Sequence, residues 1–407
     1  MNFSFIQNNN KNQKIIIGLS GGKDSSALLH MTLQKFNKKN IIPVIINHNL
    51  RKESTKESIA IKKYWKKEFN IKVYIINWYD PVSKQKKARE FRLLNLAIFA
   101  IKYNQNQIKN TKNKIPIVLL GHNFEDKLET YIIREKSYST TWGLASISYK
   151  TTIYGVEFIR PLLFTSIDYI NNYIKNNNIK IFEDETNKTN KYTRNIIRHQ
   201  ELPIINKDFI IKNIIKYIEE RVHYMHLINI WVKLHLNIIN RFVYKFIWNR
   251  LPSNKKLASL ILMYMGEKIQ GKRIDSHERF YPYLNFEMNF NKRNFHVNEC
   301  KFTYRGDYVY VEEILPLIIV LKKEGLWHNK FLVIDTLNNK FLGEKREFIF
   351  YNKFSTLKEN NNLKGIFIFN NHEINLNYVD TIIIDHFLIK YTDYNFYNEY
   401  LDFKEKI

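Results

Sequence analysis

Apolar residues along the first half of the chain arrive in two alternating rhythms. Short runs rich in β-branched residues, at 15–17, 41–47, 71–76 and 115–120, read as buried strands. The stretches between them space their apolar positions as helices do. Ala27, Leu28, Leu29 and Met31 follow the first run, from about Ser25; Ile59, Ile61, Tyr64, Trp65 and Phe69 stripe a charged helix over 53–69; a third helix covers 84–103. Strand and helix in alternation predict βαβ units and a parallel sheet with helices on both faces, an α/β class. Ligands of such sheets lie beyond the carboxyl ends of the strands, and most of the polar clusters start there.

Past residue 205 the rhythm changes. A helix is predicted over 208–236, with Ile214, Ile215, Ile218, Val222 and Met225 as core positions. Around 302–320 the pattern turns to strand, with Phe302, Tyr304, Tyr308 and Tyr310 on alternate positions, and Lys358–Asn362 reads as a loop. Two regions follow, 1–205 and a helical, then mixed α/β, 206–407.

Each βα junction carries polar chemistry. Residues 18–25, Gly-Leu-Ser-Gly-Gly-Lys-Asp-Ser, join the first strand to its helix. Gly21 and Gly22 let backbone N–H groups approach an anion closely, and the helix N-terminus adds its unpaired N–H groups. Ser20 and Ser25 offer hydroxyls, Lys23 a positive charge, and Asp24 a carboxylate that could hold a metal or order the loop. The spacing is neither G-x-x-x-x-G-K-[ST] nor G-x-G-x-x-G. After the second strand, His48 is a nucleotide contact or a turn residue, followed by Arg51. Arg89 and Arg92 share a helix face, as a phosphate clamp or an ordinary basic surface. After the fourth strand come Gly121, His122, Asn123 and then Glu125, Asp126 and Glu129. Those acids suit a helix start, and Glu125 and Glu129 with His122 could bind Mg²⁺ or an amine's ammonium.

Charge adds a partner class. The 407 residues carry 64 Lys+Arg against 39 Asp+Glu, a net charge of +25. That favours a polyanion, although an Asn-, Ile-, Lys- and Tyr-rich composition of the kind AT-rich genomes give also inflates lysine. The single cysteine, Cys300, excludes a disulfide framework and any Cys-x-x-Cys site. No apolar run reaches the roughly 20 residues of a membrane span, so no membrane partner is expected.

Taken in order, Ser20–Ser25, His48 with Leu50-Arg51, Ala88-Arg89 with Arg92, Gly121-His122 with Asp126 and Glu129-Thr130, Arg160–Leu163, Glu183–Asn187 and Arg194–Arg198 resemble the tRNA(Ile)-lysidine synthases of the ATP pyrophosphatase superfamily. The resemblance runs from about Lys14 to Pro203. It implies a Rossmann-like ATP-pyrophosphatase catalytic domain at 1–205 and a tRNA-binding region at 206–407. It also implies a ligase with ATP and Mg²⁺ as cofactors and isoleucine tRNA and free L-lysine as partners. The family adenylates the carbonyl oxygen of the wobble cytidine, releasing pyrophosphate, and the lysine ε-amine then displaces AMP to leave lysidine. Carried over residue by residue, Ser20, Gly21, Gly22, Lys23, Asp24, Ser25, His48 and His122 bind ATP, and Asp24 and Asp126 hold the metal. Asp24, Glu125, Asp126 and Glu129 are the catalytic acids, with Glu125 or Glu129 holding or deprotonating the lysine amine. Arg51, Arg89, Arg92, Arg194 and Arg198 meet tRNA or triphosphate.

This chain departs from the family at several positions. Asn47 stands for a usual Asp, Asn123 for a His, Glu125 for an Asp and Lys127 for a Gln, and 134–137 lacks the usual glycines. Thiolation relatives need cysteines that Cys300 alone does not supply, and an RNA-binding protein without catalysis is the remaining alternative. Because the first strand opens within about a dozen residues of Met1, no targeting peptide is expected. With the composition and the bacterial character of the family, that points to an organelle-encoded protein, in a plastid (chloroplast stroma) first, with a mitochondrion or a bacterial cytoplasm as alternatives. Homodimer or monomer is left open.

Overall fold

The computed structural model describes residues 13–47, 49, 53–77, 85–106, 115–153, 156–182, 193–202, 204–240, 243–270, 274, 276–284, 294–313, 318–321, 325–327, 331–335, 348–351, 366–369, 372–375, 381–385 and 391–392. By packing, the chain divides into one unit of Met1–Arg221 with Leu388–Ile407 and a second of Val222–Phe387.

In the first unit, β1 (Ile15–Gly18), β2 (Ile41–Asn47), β3 (Tyr74–Asn77), β4 (Ile117–Leu119) and β6 (Val156–Ile159) pair in parallel in the order β6-β4-β1-β2-β3. β5 (Lys150–Ile153) turns back antiparallel on β6, and Tyr391–Thr392 pairs outside it. The expected α/β class, a mostly parallel sheet with helices, is therefore observed. Ile15, Ile16 and Ile17 are at most 1% exposed, as both-face burial of a central parallel strand requires; each such isoleucine stabilises the fold by about 1.5–3 kcal/mol. The helices are α1 (Lys23–Lys35), α2 (Ser54–Phe69), α3 (Gln85–Asn106), α4 (Phe124–Lys136), α5 (Thr141–Leu144), α6 (Ile167–Asn176) and α7 (Thr193–Ile196), which continues into a π turn at Ile197–Glu201. After β1 the chain moves outward to β2 and β3, then returns to the other side of β1 with β4. That reversal opens a crevice beyond the carboxyl ends of β1 and β4. The third strand starts at Tyr74, later than the pattern at 71–76 suggests; Ile71 and Val73 are buried but lie ahead of the ladder.

A long helix, α8 (Lys207–His235), contains the boundary between the units. The second unit holds an antiparallel sheet of β7 (Asn237–Asn240), β8 (Val243–Ile247), β9 (Phe295–Val297), β10 (Cys300–Arg305) and β11 (Tyr308–Glu313), ordered β7-β8-β11-β10-β9, on which α9 (Lys255–Gln270) packs. Phe302 and Tyr304 do not continue into Tyr308 and Tyr310 along one strand. Gly306, at φ +61°, turns the chain, and Arg305 pairs with Tyr308. Phe302 is thereby buried on one face, while Tyr308, opposite Arg305, is 38% exposed on the other. Among its described residues this unit also holds two further antiparallel sheets, Ile318–Leu321, Phe348–Tyr351, Ile366–Phe369 and His372–Asn375 in one and Gly325–Trp327, Phe331–Asp335 and Thr381–Asp385 in the other. Lys358–Asn362 lies outside the described residues. No helix among the described residues is long and apolar enough to cross a membrane.

Candidate active site

The loop after β1 is shaped by steric exclusion and by its own serines. Gly21 sits at φ +83°, and a Cβ there would come within 2.4 Å of the Ile61 side chain, so only glycine fits. The Ser25 hydroxyl accepts from the Ser20 backbone N–H at 3.1 Å, lies 3.0 Å from the Ser20 hydroxyl and donates to the Gly22 carbonyl at 3.1 Å. Ser26 donates to the Gly21 carbonyl, whose oxygen also takes the Phe182 N–H. Ser20 and Lys23 stay exposed. Gly22 is the N-cap of α1, and no side chain among the described residues caps it, so the first turn keeps donors for an anion.

Opposite stands the start of α4. Gly121 approaches α1 so closely that a Cβ would meet the backbone of Asp24 and Ser25 at 3.0 Å. Asn123 caps α4: its Oδ1 accepts from Asp126 N at 2.9 Å, and Asp126 Oδ2 accepts from Asn123 N at 3.0 Å. The Asn123 amide also donates from Nδ2 to Asp24 Oδ1 at 2.9 Å, joining the two helix starts. Asp126 and Glu129 then face two arginines from the end of the domain. Arg194 reaches Glu129 Oε2 at 2.6 Å and Asp126 Oδ1 at 2.7 Å; Arg198 reaches Glu129 Oε1 at 2.5 Å and Asp126 Oδ1 at 3.1 Å. Glu129 is fully buried, each of its oxygens held by one arginine.

The electrostatics follow from this crowding. Burial, then the charge of Asp126, raises the Asp24 carboxyl to about 6, against the Asn123 amide and Arg198. Burial raises Glu125, although the N–H of Ile167 donates to its Oε2 at 3.1 Å. Burial, then Arg160, Arg92, Arg89 and Arg194, pushes His122 well below its ordinary value, so the ring is neutral, and its Nδ1 has no partner among the described residues. Arg92 is lowered by burial and by Arg194, and its Nε is likewise unpartnered among the described residues. Asp24 is the carboxylate that could hold a magnesium ion: its Oδ1 takes the Asn123 amide, whereas both Asp126 oxygens already accept, Oδ1 from Arg194 and Arg198 and Oδ2 from the Asn123 N–H. One or two carboxylates beside phosphate oxygens and water are that ion's usual shell. Among the described residues no cluster of three or more His, Cys, Asp or Glu is poised for a metal.

The sequence candidates thus divide. Direct bonds link Ser20 to Ser25, Asp24 to Asn123 and Asp126, Glu129, Arg194 and Arg198 to one another, while His122, Arg89 and Arg92 lie within electrostatic reach. Glu125 turns toward the start of α6. His48, Arg51 and Glu183–Asn187 lie outside the described residues. Sequence reasoning assigned no role to Asn123 or Arg160; an Asn just ahead of Phe-Glu-Asp was the available signal for the cap. Two departures from the family pattern have structural partners. Lys127, 1% exposed, donates to the Ile147 carbonyl at 2.6 Å, and Asn47 bonds Asn49, Thr55 and Asn77 at the ends of β2 and β3.

Residues 1–205 match the sequence model of the PP-loop domain, and the chain belongs to that family. Its relatives include the tRNA(Ile)-lysidine synthase of Oceanobacillus iheyensis, 33% identical over 211 residues, which are 50% of this chain and 44% of that protein. The tRNA(Ile)-lysidine synthase of Francisella tularensis subsp. holarctica is 36% identical over 194 residues, 47% of this chain and 46% of the relative. The chain therefore spans less than half the length of these curated relatives. Among solved structures, the U34-tRNA thiolase of Methanococcus maripaludis aligns at 15% identity and a TM-score of 0.38, covering 52% of this chain and 73% of that one.

Proposed function

We propose that the protein ligates L-lysine to the wobble cytidine of an isoleucine tRNA with a CAU anticodon, at the expense of ATP. The reading is supported by relatives that carry this name over the matched half. One structural observation carries it: the uncapped, glycine-led start of α1 meets the acid-led start of α4 through the Asn123–Asp24 bond.

The cytidine carbonyl oxygen attacks the α-phosphorus of ATP and pyrophosphate leaves. The N–H groups of the Gly21–Asp24 turn and Lys23 hold the departing charge, worth most where they are already fixed. Asp24, with the negative charge of Asp126 beside it, would hold the magnesium ion, which would neutralise phosphate charge. Lysine's ε-amine, having lost a proton, then attacks the activated ring carbon, and AMP departs with the former carbonyl oxygen. Glu125 is the better of the two candidate bases. Its raised pKa favours taking a proton, whereas both Glu129 oxygens are engaged by arginines. Glu129 instead fixes Arg194 and Arg198 toward the substrate phosphates. In this reading residues 206–407 grip the tRNA, and the composition favours a plastid as the compartment.

The test is mass spectrometry of the wobble base after incubation of isoleucine tRNA with ATP and lysine. Lysidine should form with the wild-type protein and fall below detection with Asp24→Ala; unmodified cytidine in both would overturn the proposal. A thiolation activity is disfavoured by Cys300, which is buried in the second unit with its Sγ bonded to the Gly266 carbonyl.

A further inference from the structure

Asn123 does more than an N-cap has to do. Capping needs an acceptor aimed at the first turn, and Asn, Asp and Ser serve about equally well. Of these three only Asn also carries an N–H₂ group. Here that surplus donor is directed across the crevice to Asp24 Oδ1, at 2.9 Å. Meanwhile the backbone N–H of the same residue holds Asp126 Oδ2 at 3.0 Å. One residue, with no exposed surface, therefore sets the rotation of Asp24 and shares with Arg194 and Arg198 the hold on Asp126, a carboxylate of a different helix.

We propose that Asn123 is a positioning residue that, through its bond to Oδ1, holds Asp24 in the orientation in which the carboxylate accepts the divalent cation accompanying ATP. The inference rests on the function proposed above, because a nucleotide-borne cation is what gives that orientation a purpose. The close approach at Gly121 is what lets the short amide span the gap. A residue that merely capped α4 would have no reason to carry the donor.

The test is a double-mutant cycle on the full chain, using Asn123→Ser, Asp24→Asn and both together. ATP binding is measured by calorimetry with Mg²⁺ and again in EDTA, alongside thermal melts. Serine keeps the cap, so the melting temperature of Asn123→Ser should stay within a few degrees of wild type. Loss of a hydrogen bond to a charged group should weaken ATP binding in Mg²⁺ by about tenfold, but by less than about twofold in EDTA. In the Asp24→Asn background the serine should cost nothing more, because the charged carboxylate that Asn123 orients toward the cation is already gone. Wild-type affinity in Asn123→Ser, an equal loss in EDTA, or losses that add to those of Asp24→Asn would each overturn the proposal. So would a large fall in melting temperature in both Asn123→Ser and Asn123→Thr, which would assign the residue to folding alone. A wild-type protein that binds no ATP at all would instead defeat the function on which the inference stands.

Discussion

Helices α1 and α4 leave neighbouring parallel strands at the same end of one sheet, yet they begin in opposite ways. α1 begins at Gly22, with no capping side chain among the described residues. α4 begins with a reciprocal capping box between Asn123 and Asp126, and Glu125 in its first turn. Both ends carry the same backbone dipole. One leaves its N–H groups open to an incoming anion; the other uses them on its own side chains and presents carboxylates. In the proposed function the same architecture serves phosphate at the start of α1 and a cation beside the acids of α4, and the difference lies in one residue at each cap.

The largest effect is expected on the acidic side. Replacing Glu129 with Ala leaves Arg194 and Arg198 sharing Asp126 alone, in a site where Glu129 is fully buried. Breaking buried ion pairs costs about 3–5 kcal/mol, and the partial exposure of both arginines sets this one at about 2–3 kcal/mol. Denaturant unfolding monitored by fluorescence measures it. A loss below about 0.5 kcal/mol, the level of an ordinary surface substitution, would show that the four charges do not act as a unit.

Asp24 should make the comparison pH-dependent. Its carboxyl titrates at about 6 in the folded protein and at 3.8 in the reference state, so the fold binds its proton more tightly than the unfolded chain does. That contribution is complete below pH 3.8, declines as the pH rises through about 6, and is lost above it. Asp24→Asn removes the titration. In EDTA, the variant should therefore gain on wild type as the pH is raised from 4 to 7, by about 1–2 kcal/mol once screening is allowed for. Parallel stability curves across that range would show that neither burial nor the charge of Asp126 raises the Asp24 carboxyl.

Much of this site was legible in the chain because its parts are local. The isoleucine run before Gly18, the glycines after it and the acids after Gly121 are each read within about one helical turn or strand of sequence. The links between them were not. Arg194 and Arg198 lie 65 and 69 residues from Glu129, and nothing local distinguishes an arginine that pairs with a buried acid from one that meets a phosphate. The place of Asn123 ahead of Phe-Glu-Asp carried a cap signal that the sequence reading did not use, and the partner of its second amide end depends on how closely two helices approach. In the second unit, the alternation of Phe302, Tyr304, Tyr308 and Tyr310 suggested one strand; Gly306 and Asp307 form the turn that puts the later tyrosines on the opposite face.

The smallest expected effect tests the contrast most directly, because its two readouts should move in opposite directions. Gly22 has φ −71° and ψ 169°, a conformation any residue adopts, and a Cβ there would meet nothing closer than the Ser20 hydroxyl at 3.6 Å. Gly22→Ser therefore introduces a capping hydroxyl without strain. Serine is a better cap than glycine by a few tenths of a kcal/mol, so the variant should be slightly more stable. The same hydroxyl takes up an N–H group that would otherwise face the anion, so pyrophosphate and ATP should bind several-fold more weakly. A variant both more stable and equally good at binding would mean that the open start of α1 is not where the phosphates sit. One that is more stable and weaker in binding would show that the missing cap is kept for the ligand.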